Sequence, residues 1–292
     1  MKWAWPTIWI GEQGGWWRLA VTLALYVGAV VLGMILFTAA MLSGLKDVLN
    51  NEPACVQEIV SLVGTVLITG LGLAGCLIGI RFVHHKPTAC VFTDGRPFGF
   101  GLAVQSAALW ALLWFVVTVL LPGGWQGLVR RAGGIPLAWW PVLSVMTLGA
   151  MFVGRTAEEV VFRGYLQTRV AAWIKRPWLA VSISTLVFTA AHRGANPAAY
   201  TAIALFGIVF GAACVRAGTL APMCGAHAVH DTLECLRQPS GHTNEVNAST
   251  TWLEVVLVAA ALSIWFVWLL WVTRKQPADA LIEGKPTFDN AK

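Results

Sequence analysis

The chain repeatedly supplies apolar windows long enough to cross a bilayer's hydrocarbon core, roughly 30 Å thick and spanned by about 20 residues of helix. Spans are expected near 19–42, 59–80, 98–121, 138–160, 178–193, 198–216, 219–236 and 252–273. A segment inside lipid must satisfy its own backbone N–H and C=O groups. Repeated windows of this length therefore commit the chain to an all-α fold, a polytopic transmembrane bundle of about eight helices. Composition agrees: 57% of residues are hydrophobic and 12% charged, against about 25% charged in an average soluble domain. Sixteen Trp fit the aromatic belts that gather at membrane–water boundaries.

One transmembrane domain is expected over 19–273, with a motif-bearing core at about 140–236. An interfacial N-terminal segment (1–18) precedes it, rich in Trp, and a polar tail (274–292) is expected to be disordered and cytoplasmic. The uncharged run from Leu19 to Leu45 exceeds the roughly 7–15 residues of a signal-peptide core and is read as an anchor. The net charge of +6 comes mostly from Lys and Arg in short gaps between apolar runs. That placement indicates topology control and anionic-lipid contact, not nucleic acid. The N-terminus, 81–97, 155–177, Arg216 and the tail hold most of these residues, so both termini are expected in the cytoplasm, in a bacterial-type inner membrane. The six Cys show no paired metal-ligand spacing and read as small buried residues. Gly75-x-x-x-Gly79 and Gly207-x-x-x-Gly211 offer flat faces for helix packing.

Three polar clusters interrupt the second half. The first, Glu158-Glu159-Val-Val-Phe-Arg163, puts charges where each costs about 2.5–3.5 kcal/mol at mid-bilayer, so they either pair or perform a function. Residues four apart share a helical face, which pairs Glu159 with Arg163. Glu158 points about 100° away, with Arg155 its nearest helical cation. One carboxylate is thus neutralised locally and the other is freer to serve as a general base. Two structural ion pairs, Arg155–Glu158 and Glu159–Arg163, are the competing reading. The second cluster is Phe188-Thr-Ala-Ala-His192. Glu158 and His192 are nearly equidistant from an expected turn at Lys175–Pro177, so a helical hairpin brings them to one depth. The third is His227-Ala-Val-His230-Asp231, in which His227 and Asp231 share a face. Together, a carboxylate base, two imidazoles and another acid could surround one water and stabilise an oxyanion.

These residues resemble the CPBP family of intramembrane endopeptidases, which includes CAAX prenyl proteases of the Ras-converting-enzyme type and bacteriocin-processing and self-immunity (Abi) proteins. The family pattern is Glu-Glu-x-x-x-Arg, then Phe-x-x-x-His, then His-x-x-x-Asn or Asp. Phe162-Arg-Gly-Tyr-Leu166 and Gly218-Thr-Leu-Ala-Pro222 fit the neighbouring text. The resemblance implies an endopeptidase acting on a membrane-associated protein or peptide. Glu158 would activate water with help from His192, His227 and Asp231 would position water or stabilise the oxyanion, and Glu159 and Arg163 would support them. Asp231 stands where the family often has Asn, and a carboxylate there would instead orient His227. No cofactor is expected to be required, although Glu158, His192 and His227 could hold Zn²⁺. Two other readings stay open: a non-catalytic membrane scaffold or self-immunity protein that keeps the motif for packing, and a proton-coupled transporter. The transporter is disfavoured because the chain shows no inverted repeat.

Overall fold

A computed structural model describes residue 9 and residues 15–94, 98–122, 136–192, 196–237 and 250–274. Expectations for 1–8, 10–14 and 275–292 lie outside the described residues. Helices follow one another as α1 (Trp16–Ala40), α2 (Ala54–Ile78), α3 (Phe100–Leu120) and α4 (Trp140–Glu159). Helix α4 runs without a break through a π-helical stretch, Val160–Gln167, into α5 (Thr168–Ile174). Then come α6 (Pro177–Ala191), α7 (Pro197–Ala217), α8 (Ala221–Arg237) and α9 (Trp252–Thr273). Among the described residues there is no β-strand, only an isolated bridge between Thr93 and Thr219.

Six of these helical segments are long and apolar enough to cross a membrane, the longest being Leu137–Ile174. The protein is an integral membrane protein. Helix α6 is apolar but only 15 residues long. Helix α8 carries His227, His230 and Asp231, which lowers its hydropathy. Large apolar side chains face outward along the bundle, among them Leu32, Ile35 and Leu36 on α1 and Val256, Ile264 and Val267 on α9. Inward-facing ones, including Trp110, Tyr165, Phe188, Phe210 and Trp265, form a continuous core.

Small residues set the closest approaches, as expected where lipid supplies no hydrophobic drive between helices. A Cβ at Gly75 would sit 2.5 Å from the Leu25 carbonyl oxygen, and one at Gly79 would sit 2.6 Å from Thr22, so α2 lies flat on α1. Helix α8 is wedged between α3 and α4. A staple of hydrogen bonds locks it from behind: Trp265 Nε1 donates to Ser106 Oγ (2.8 Å), and Ser106 Oγ donates to the Pro222 carbonyl (2.6 Å).

No proline interrupts the chain between Leu143 and Ile174, and the expected long helix is continuous there. It ends where Lys175 turns left-handed (φ 57°) and Arg176 becomes extended, after which Pro177 opens α6. Proline suits a first helical position because its missing N–H would have no partner there. This is the hairpin that brings α6 back beside the motif helix. Trp9, ahead of α1, is buried: its Nε1 donates to Thr168 Oγ1 (2.9 Å), and its ring packs edge-on against His84 and Tyr165. All six cysteines are free, and five are buried.

Candidate active site

Glu158 and Glu159 are the last residues of α4, immediately before the π-helical stretch. Such wide turns occur often at functional sites. His192 ends α6, its backbone already extended (φ −91°, ψ 136°). His227 and Asp231 lie one helical turn apart in α8. The bundle brings all of the residues singled out in the sequence, Glu158, Glu159, Arg163, His192, His227 and Asp231, into one cluster.

The two glutamates face different partners. Glu158 Oε1 is ion-paired with Arg155 Nη1. Its Oε2 is buried, accepts no hydrogen bond from the described residues, and lies 3.9 Å from His227 Nε2 and 4.0 Å from His192 Nε2. Both separations are too long for a direct hydrogen bond and match what one bridging oxygen would close. Glu159 is fully buried; its Oε1 lies 2.8 Å from His227 Nδ1 and 3.3 Å from Arg163 Nη1. The Arg163 guanidinium lies 4.1 Å from the centroid of the Phe188 ring, a cation–π contact in a dry setting.

These partners fix the imidazole tautomers. His192 Nδ1 lies 2.7 Å from the Phe188 carbonyl oxygen, an atom that only accepts, so Nδ1 carries the proton. His227 Nδ1 donates to Glu159 by the same argument. Each ring therefore commits its Nδ1 and turns its Nε2 toward Glu158.

One expectation is corrected. An acid in place of Asn at the last motif position is expected to orient His227, but the carboxylate that meets His227 Nδ1 is Glu159, reaching across from α4. Asp231 is engaged elsewhere: its Oδ2 lies 2.5 Å from Arg155 Nε, and its Oδ1 lies 3.9 Å from His230 Nε2. A shared helical face allows a contact, and the guanidinium of the neighbouring helix takes that carboxylate instead. The bridge made by Arg155 is the feature that sequence reasoning missed. Its one signal was an arginine three residues before Glu158, read only as an intrahelical partner.

The donors Glu158, His192 and His227 are chemically suited to Zn²⁺, and both imidazoles are held at Nδ1 as zinc ligands usually are. Their placement does not fit. Separations of 3.9 and 4.0 Å exceed the roughly 3.4 Å between ligand atoms of a tetrahedral zinc. Arg155 would also place a cation beside the ion, and among the described residues no group of three His, Cys, Asp or Glu is arranged to hold a metal.

Beside α4 lies an apolar cavity of about 400 Å³, lined by Ala89, Phe92, Thr93, Phe98, Phe100, Phe152 and Thr156. Thr156 stands one helical turn before Glu159, while none of the clustered residues lines the cavity.

No curated protein and no solved structure matches the chain. Residues 137–233 match a family model, Rce1-like, described as type II CAAX prenyl endopeptidase Rce1-like. The match covers about a third of the chain and includes the whole cluster from Arg155 to Asp231. The protein is thus a helical membrane protein whose motif-bearing segment is similar to the type II CAAX prenyl endopeptidase Rce1-like family.

Proposed function

We propose that the protein is an intramembrane endopeptidase that hydrolyses peptide bonds of a membrane-associated protein or peptide through water activated by Glu158. One observation carries this reading: a buried Glu158 Oε2 without a hydrogen bond, flanked by two Nε2 atoms whose tautomers are fixed by their partners. A water held between them donates one proton toward Glu158 Oε2 and the other to an imidazole Nε2. As the water oxygen bonds to the scissile carbonyl carbon, Glu158 takes its proton and the C=O π pair moves onto oxygen. Glu158 then delivers that proton to the leaving amide nitrogen as the C–N bond breaks.

Because both Nδ1 atoms are committed, an imidazole can donate to the oxyanion only when its Nε2 is also protonated. The surroundings offset that charge. The carboxylates of Glu158, Glu159 and Asp231 outnumber the guanidiniums of Arg155 and Arg163, leaving one negative charge in excess. The apolar cavity beside α4 suits a hydrophobic portion of such a substrate.

A non-catalytic scaffold remains the second reading, because both ion pairs it requires, Arg155–Glu158 and Glu159–Arg163, are formed. Glu158→Gln separates the two. It keeps size and hydrogen-bonding capacity but removes the base. New protein termini in membranes of cells carrying wild type or Glu158→Gln are compared by mass spectrometry, with insertion and folding checked in parallel. The peptidase loses its products in the variant. A folded Glu158→Gln protein that still generates the same termini sinks the proposal.

A further inference from the structure

Arg155 belongs to none of the family's motif positions, yet it holds the half of Glu158 that does not face the histidines. Its Nη1 pairs with Glu158 Oε1 on α4, and its Nε lies 2.5 Å from Asp231 Oδ2 on α8. One planar guanidinium thus spans two helices and contacts two carboxylates, through a hydrogen bond to Glu158 Oε1 and through charge alone to Asp231 Oδ2, toward which Nε–H is not aligned for a hydrogen bond. Lysine, a point charge on a flexible stem, cannot reproduce that geometry. The three side chains are only 17–23% exposed, so the contacts are partly shielded from solvent. A glutamate side chain has three rotatable bonds. Anchoring Oε1 restricts that freedom on the side where Oε2 lies 3.9 and 4.0 Å from the imidazoles. Asp231, an ionised carboxylate against a guanidinium, accepts hydrogen bonds and has none to donate to an oxyanion.

We infer that Arg155 is a positioning residue that aims Glu158, and that Asp231 acts through Arg155 and does not touch the reacting atoms. This rests on the peptidase reading above. It gives the final motif position a role different from the one the family pattern implied, and it explains why an acid there is useful: the acid is the far anchor of the clamp.

The test uses the full chain in liposomes and an internally quenched peptide spanning a cleavage site whose product disappears in Glu158→Gln cells. Arg155→Gln, Asp231→Asn, the double variant and Arg155→Lys are compared with wild type, and folding is followed by thermal unfolding in detergent. The double variant removes both charges of the Arg155–Asp231 pair together, so Asp231 is not left opposite a neutral side chain, while Glu158 loses its cation equally in Arg155→Gln and in the double variant. Misaiming the base is expected to lower kcat by about 10- to 100-fold. KM should stay within about twofold, because a change confined to the reacting geometry leaves ground-state binding alone. The two single losses should be equal, and the double loss no larger than either, as for residues acting as one unit. Arg155→Lys, which keeps the cation, should remain folded and still lose about tenfold in kcat. Wild-type kcat in a folded double variant or in Arg155→Lys overturns the inference, and so do losses that multiply. No Glu158-dependent product in cells, or an active Glu158→Gln control, overturns the peptidase reading itself. An inactive Glu158→Gln beside fully active Arg155 variants removes only the clamp.

Discussion

Glu159 carries two contacts that a fully buried carboxylate needs: a guanidinium on its own helix and an imidazole N–H from α8. Removing one partner of such a buried pair leaves a charge without compensation, which typically costs about 3–5 kcal/mol. Arg163→Met should therefore lower the unfolding temperature of the detergent-solubilised protein substantially, whereas Glu159→Gln combined with Arg163→Met should recover much of the loss. Equal unfolding temperatures for wild type and Arg163→Met would show that the pair contributes little. At this scale the sequence was informative about intrahelical partners, because the i,i+4 rule names Arg163 for Glu159 without any structure. It was misleading about His227. Spacing can list the residues on one face of a helix, but which carboxylate wins an imidazole depends on what the neighbouring helix presents. Here that helix presents Glu159 to His227 and Arg155 to Asp231.

Among the elements, α8 carries His227 and Asp231 and is also tightly wedged. A Cβ at Gly225 would lie 2.1 Å from the Ala103 carbonyl oxygen, a backbone atom that cannot swing aside. Gly225→Ala should therefore push α8 off α3 at a cost of about 1–3 kcal/mol. Because His227 is two residues away, product formation should fall along with stability, whereas Gly149→Ala, with open space around its Cβ position, should be tolerated. Helix boundaries were legible, since apolar length, Pro177 and the Lys-Arg pair before it mark them directly. The span expected at 252–273 coincides with α9, Trp252–Thr273. The π-helical stretch was not legible. Val160–Gln167 would suit an ordinary α-helix equally well, and nothing local announces the wider turn.

For the whole molecule, the hairpin at Lys175 sets the depth of the site, because it returns α6 so that His192 meets Glu158. The distribution of Lys and Arg predicts that Lys175 faces the cytoplasm and that Asn51, between α1 and α2, faces the opposite side. Single cysteines placed at these two positions, in a background without the native cysteines, should give opposite labelling by a membrane-impermeant maleimide. Intact cells should label Asn51→Cys and not Lys175→Cys, and the reverse pattern would invert the topology.

The wide turns that follow Glu159 also separate two halves of one long rod. Each residue accommodated in a π-helical turn changes the rotational phase of everything after it, as a washer slipped onto a screw resets the angle at which the next part locks. Upstream, the phase points Glu158 at the histidines; within the stretch, Tyr165 meets His84 and Gln167 Nε2 reaches the Gly211 carbonyl, and downstream Thr168 Oγ1 meets Trp9. The stretch therefore encodes an angle by its residue count, and insertions or deletions there are more disruptive than most exchanges of one apolar side chain for another.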